Sequence, residues 1–129
     1  MGETWQDIAR QCLNDAEDDS APFPEILGRL MNAGVEAYRI DFRRNDATYY
    51  HADLGTLALP ITDVGTAIAP DFNAEAVRAA VREAQALQPG YTYVGFCRKV
   101  RAAGCESYFT SIVGRRVVYS GRSGDMLVE

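Results

Sequence analysis

Histidine, tryptophan and cysteine are scarce in this chain of 129 residues: one, one and three respectively. The cysteines, Cys12, Cys97 and Cys105, are odd in number and widely spaced. They match neither a disulfide framework nor a zinc site, so no metal is expected. All three fall at positions that read as apolar-facing, where free cysteine behaves as a small hydrophobe. A reducing cytoplasm is the expected compartment. Long apolar runs are also missing. The most apolar stretch, "LGTLALPITDVGTAIAP", is broken by Pro60, Asp63 and two glycines, which rules it out as a membrane span. The start "MGETWQDIAR" has no basic head and apolar run of a signal peptide. Gly2 is followed by Gln6 where an acylation signal needs Ser or Thr. Excess positive charge is absent as well: net charge is −5, which argues against nucleic acid as a partner.

What remains is the composition of an ordinary globular domain, 47% hydrophobic and 24% charged. At this length a single domain over residues 1–129 can bury a real core without staples. Charge is uneven, with five Lys/Arg against twelve Asp/Glu in residues 1–70 and eight against six in residues 71–129. Head-to-tail association would use that asymmetry, but a solvated surface is the preferred reading.

Periodicity predicts four helices. Trp5, Ile8, Ala9, Cys12 and Leu13 follow a helical rhythm behind a capping-box start at Thr4 and Asp7. Pro24 suits the first turn of a second helix with the stripe Phe23, Ile26, Leu27, Leu30 and Met31, and Gly34 suits its stop. Asn73 caps a third helix, which Pro89-Gly90 ends. Tyr93, Phe96, Cys97 and Val100 mark a fourth, stopped at Gly104. After each of the second and fourth helices comes a run of period two, a turn and another β-rich run, which predicts two antiparallel hairpins. "TLALPI" suits an edge strand, because Pro60 excludes a central one. The tail from Arg122 reads as short and loosely held.

"AGVEAY" at 33–38 and "AGCESY" at 103–108 stand 70 positions apart. At that offset Ala33, Gly34, Glu36, Tyr38 and Tyr49 meet identical residues at Ala103, Gly104, Glu106, Tyr108 and Tyr119. The order of elements agrees too, so a duplicated helix–helix–β-hairpin is expected. Its two units run over about 4–55 and 72–124, with a connection over 56–71. The fold class is α+β: an antiparallel sheet of about four strands, helices packed on one face, and a pseudo-twofold axis.

The ordered positions Gly34, Val35, Tyr38, Asp41, Tyr49, Tyr50, Gly55, Tyr93, Phe96, Gly104, Tyr108, Tyr119 and Gly121 resemble the YdfO-like family. These are small bacterial and prophage-associated proteins, sometimes labelled phage envelope proteins. The resemblance covers roughly Phe23 to Gly124. It implies a compact α+β domain and no reaction.

Candidate chemistry is sparse. His51 as a general base needs a partner such as Cys97, Asp53 or Asp41. Cys97 lies on an apolar stripe, unlike a reactive thiol, so a hairpin-surface histidine is preferred. Glu36 and Glu106 occupy equivalent positions and would approach a twofold axis, where a carboxylate pair does acid/base work or holds a cation. Alternatively, both are exposed strand-entry residues. Glu36 shares strand parity with Tyr38 and Ile40, which places it toward the inner face. Tyr38, Tyr49, Tyr108 and Tyr119 also pair by position, and tyrosine serves core packing, a ligand pocket or an interface. The basic groups Arg98, Lys99, Arg101, Arg115 and Arg116 would suit an anion or a solvated face. "GRSGD" lacks the spacing of a phosphate loop. No cofactor is called for. The expected function is a non-catalytic module that binds a small molecule or a protein, with Glu36, Tyr38, Asp41, Tyr49, His51, Glu106, Tyr108 and Tyr119 as candidate site residues. An enzyme using the carboxylates or His51, and a structural homodimer of prophage origin, are the alternatives.

Overall fold

The computed structural model describes residues 2–129. Helices α1 (Trp5–Glu17) and α2 (Phe23–Asn32) precede strands β1 (Val35–Asp41), β2 (Asp46–His51) and β3 (Gly55–Pro60). Helices α3 (Ala74–Ala86) and α4 (Tyr93–Ala102) precede β4 (Cys105–Ser111), β5 (Arg116–Gly121) and β6 (Met126–Val128). The strands form one antiparallel sheet in the order β3-β2-β1-β4-β5-β6.

Local chemistry sets the helix ends. Thr4 Oγ1 accepts from the Asp7 N–H at 3.1 Å, and Asp7 Oδ2 accepts from the Thr4 N–H at 3.2 Å, closing the capping box. Asn73 Oδ1 accepts from the Ala76 N–H and caps α3. That helix ends at Ala86, with Leu87 in the left-handed region at φ 48°, before Pro89-Gly90 is reached. Gly34 and Gly104 follow α2 and α4 with φ of 89° and 95°, a backbone only glycine adopts without cost.

The sheet has six strands, two more than the sequence suggested. β3 is the edge strand ending at Pro60, and it occupies part of what reads as a connection over 56–71. β6 lies in the supposedly loose tail. Glu129 and Val117 exchange backbone hydrogen bonds of 2.7 and 2.8 Å, which tie the tail to β5. β3 is the edge strand that "TLALPI" indicated, whereas β6 has only three residues, all apolar, and gives no period-two signal.

Inward residues of the central strands, among them Ile40, Ala47, Tyr49 and Tyr119, join Leu30, Val77 and Val100 from the helices in one core. The alternate residues Arg39, Thr48, Tyr50, Phe109 and Val118 lie on the other face, which no helix covers. Residues 61–73 form no helix or strand and run back over the helices. Glu17 accepts from the Thr62 N–H, Arg101 O from the Ala69 N–H and Ala103 O from the Asn73 N–H.

Most elements of the two halves agree in length, β3 with 6 residues and β6 with 3 excepted. α1 and α3 have 13 residues each, α2 and α4 have 10, β1 and β4 have 7, β2 and β5 have 6. A β-bulge falls between Val35 and Ala37, and another between Cys105 and Ser107.

Candidate functional site

The site is built on β1 and β4, which lie side by side at the centre of the sheet. Alternation turns Tyr38 and Tyr108 inward, and register sets Tyr49 opposite Tyr38 and Tyr119 opposite Tyr108. Ring centroids are 5.5 Å apart within each pair and 6.5 Å apart between Tyr38 and Tyr108, in the range for aromatic contact. Thr92 Oγ1 accepts from the Gly95 N–H and fixes the first turn of α4. That turn sets Tyr93 over β4, where its hydroxyl oxygen lies 2.5 Å from that of Tyr108.

Two cavities meet at this point. One, of about 310 Å³, lies between α1, α2 and the sheet, with Tyr38, Tyr49 and Tyr108 in its wall. The other, of about 530 Å³, lies between α2 and α3 over β4 and β5, and Tyr108 and Tyr119 line it. Phe23, Leu87, Tyr91 and Tyr93 border both. Both volumes are within the range of small-molecule sites. α1 packs on α2, α3 on α4, and α1 touches α4, whereas α2 and α3 stand on opposite sides of the larger cavity.

The walls are apolar. Phe23 and Met31 belong to the α2 stripe but are 47% and 59% exposed, and Leu87 at the end of α3 is 55% exposed. All three border the larger cavity, so the apolar stripe is wider than the core contact requires. Polar atoms in the floor are neutral. Burial pushes the Tyr38 and Tyr91 phenols up to about 12 and also raises those of Tyr49, Tyr93, Tyr108 and Tyr119 well above the ordinary phenol value. They act as hydrogen-bonding hydroxyls rather than phenolates. The Thr110 hydroxyl offsets part of the rise at Tyr38, yet it makes no hydrogen bond of ordinary geometry. Thr110 is 3% exposed, lines the larger cavity and leaves Oγ1 without a partner.

The other candidates lie elsewhere. Glu36 and Glu106 do not converge. The Glu36 carbonyl accepts from the Ile112 N–H and the Glu106 carbonyl from the Phe42 N–H, so they sit at opposite ends of the β1–β4 ladder. Six residue steps lead from Glu36 to Phe42, about 20 Å of extended chain. Parity also misplaces Glu36: the bulge sends Val35 into the core and leaves Glu36 exposed. Asp41 Oδ1 accepts from the Arg43 and Arg44 N–H groups and shapes the β1–β2 turn. His51 Nδ1 accepts from the Asp53 and Leu54 N–H groups, and its ring lies 5.1 Å from that of Trp5. Both carry local structural loads. Cys97 is buried and its thiol is pushed up to about 12, so it offers no thiolate nucleophile. Among the described residues no three His, Cys, Asp or Glu side chains gather as a metal site.

The residues that sequence reasoning missed are Tyr91, Tyr93 and Thr110, together with the cavity-facing role of Phe23, Met31 and Leu87. The excess width of the α2 stripe was a usable signal. Thr110 gave none, since a threonine in a strand is ordinary.

The geometry therefore offers apolar surface and neutral hydrogen-bonding groups, with Arg115, Arg116 and Glu129 as the charged residues of the larger cavity. No curated protein matches the chain. A family model described as a protein of unknown function, DUF1398, matches residues 11–129. Spanning nearly the whole chain, that match identifies the protein as a member of the DUF1398 family.

Proposed function

We propose that this protein is a non-catalytic binding module for a small, largely apolar molecule, held in the cleft between α2, α3 and the sheet. The observation that carries it is the pair of adjoining cavities, about 310 and 530 Å³, with Tyr38, Tyr49, Tyr108 and Tyr119 in their walls. Exposed apolar side chains that border a cavity are unfavourable in water unless something covers them. Catalysis by Glu36, Glu106, Asp41 or His51 lacks comparable support, because these groups are dispersed and His51 and Asp41 are occupied by backbone donors.

A thermal-shift screen of apolar and aromatic metabolites tests the proposal, with Ala84→Phe as the control. Ala84 lines the larger cavity, and a phenyl group there fills it. A hit at 100 times its dissociation constant adds about 2.7 kcal/mol of stability to the wild type. The expected result is a shift that Ala84→Phe abolishes while remaining folded. Shifts that persist unchanged in Ala84→Phe place the ligand elsewhere.

We also infer that the chain arose by duplication about a pseudo-twofold axis. The equal element lengths support it, as do the equivalent bulges and the direct pairing of Arg39 with Phe109, which stand 70 positions apart. The narrower YdfO-like, prophage-associated assignment rests on the ordered glycines and tyrosines of the sequence. A cytoplasmic site of action is favoured by three buried, unbridged cysteines, and net charge keeps nucleic acid off the list of partners. A homodimer is the second proposal, favoured by the open edges at β3 and β6. Light scattering across a concentration series tests it, and a constant monomer mass removes it.

A further inference from the structure

We propose that the larger cavity takes an amphipathic carboxylate, its apolar body between α2 and α3 and its anionic group at Arg115 and Arg116. This rests on the assignment of the cleft as a binding site and specifies the class of ligand.

Three observations carry it, two of them at one end of that cavity. First, its charge is cationic. Arg115 and Arg116 line it, both are exposed, and neither forms an ion pair with a described residue. The one carboxylate in the lining, Glu129, lies 3.6 Å from Arg78 Nε and is engaged there. Two guanidinium groups without an ion pair thus stand beside the apolar cleft. They present planar forks of donors suited to a carboxylate.

Second, a buried hydroxyl lies at the same end. Thr110 is opposite Val117 on the neighbouring strand, next to Arg116 in sequence, and lines the cavity. Its polar neighbour across the β1–β4 ladder is the Tyr38 phenol, with which it forms no well-aligned hydrogen bond. A ligand oxygen accepting from Oγ1 gives it a better-aligned partner.

Third, the remaining length of the cavity is apolar. Phe23 and Met31 on α2 face Val81 and Ala84 on α3, with Leu87 beyond them. An alkyl or aryl body covers these side chains, and a neutral apolar ligand would leave Arg115, Arg116 and Thr110 unused. A hydrophobic stem with one carboxylate uses all three features.

The test is calorimetric titration of the full chain with dodecanoate and dodecanol, both below their aggregation concentrations. The two probes share the stem and differ in charge. The variant is Arg115→Asn with Arg116→Gln. Arg115 has φ 54°, and Asn45, at the corresponding turn between β1 and β2, has the same φ, so Asn suits the position. Wild-type protein is expected to bind dodecanoate roughly tenfold more tightly than dodecanol, the worth of about 1.4 kcal/mol. In the double variant the preference falls to about one, in line with the loss of charge-assisted contacts, while dodecanol binding holds. Thr110→Val, a near-isosteric change that leaves the turn untouched, is expected to reduce the preference several-fold and serves if the double variant is misfolded. Equal wild-type affinity for both probes overturns the carboxylate assignment and leaves the cleft as a neutral-ligand site. A preference that survives in both variants overturns it as well. Binding of neither probe overturns the cleft assignment itself.

Discussion

The hydroxyl oxygens of Tyr93 on α4 and Tyr108 on β4 lie 2.5 Å apart, in the wall common to the two cavities. This bond ties the helical layer to the sheet at the middle of the cleft. Phe96, one turn on, packs edge-on against both Tyr108 and Tyr119 and braces the same contact.

Tyr93→Phe and Tyr108→Phe each remove one partner of this bond from a largely enclosed site. Each is expected to cost about 1–3 kcal/mol, the cost of an unsatisfied buried polar group. The double variant removes both and is expected to cost less than the two losses added together. Urea denaturation of the four proteins closes the cycle. Additive losses would mean that the hydroxyls do not act as a pair.

Gly34 and Gly104 stop equivalent helices, but their surroundings differ. A Cβ on Gly104 would meet the backbone of Asp71 and Phe72, whereas a Cβ on Gly34 would meet the His51 imidazole. Both positions also have left-handed φ. Gly104→Ala is expected to cost at least about 2 kcal/mol, and Gly34→Ala less, because a side chain can move aside more readily than a backbone. His51→Ala introduced with Gly34→Ala should recover part of the loss. Equal denaturation midpoints for the two alanine variants would contradict this account.

How much of this was legible in the sequence depends on the device involved. Thr4, Asn73, Gly34 and Gly104 act through local backbone chemistry, and the helix starts at Thr4 and Asn73 and the stops at the two glycines lie where those residues indicate. β3 was visible as an edge strand through "TLALPI" and Pro60, whereas β6 was harder to see, since pairing to a neighbour stabilises a three-residue edge strand with no alternation of its own. Glu36 was misplaced because a bulge shifts the face of every residue on one side of it, and nothing in "GVEAY" announces a bulge. The cleft itself is a tertiary feature. Its one trace was that Phe23 and Met31 extend the α2 stripe beyond the core-facing residues Ile26 and Leu30.

Stability is expected to fall steeply in alkali. Burial raises the thiols of Cys97 and Cys105 and the phenol of Tyr38 to about 12, and raises the phenols of Tyr49, Tyr93, Tyr108 and Tyr119 well above their ordinary value. In the unfolded chain, thiols ionise near about 8.5 and phenols near about 10. A raised folded-state value means that the folded protein keeps protons the unfolded chain releases. The contribution is therefore complete below about pH 8.5 and shrinks as pH climbs toward about 12, first through the thiols and then through the phenols. Melting temperature measured from pH 7 to 11 checks the slope. A flat profile through pH 10.5 would show that these groups are not buried.

Backbone amide NMR with a bound apolar ligand addresses the central claim most directly. The ligand, dodecanoate or a hit from the thermal-shift screen, is titrated into uniformly ¹⁵N-labelled protein. If the cleft between α2 and α3 is the binding site, the largest shifts fall on amides of Met31, Ala84, Thr110 and Val117, which border the larger cavity. The amides of Thr48 and Val118, whose side chains lie on the uncovered face of the sheet, change far less. Shifts concentrated on that open face, with the α2 and α3 amides unmoved, would contradict the account.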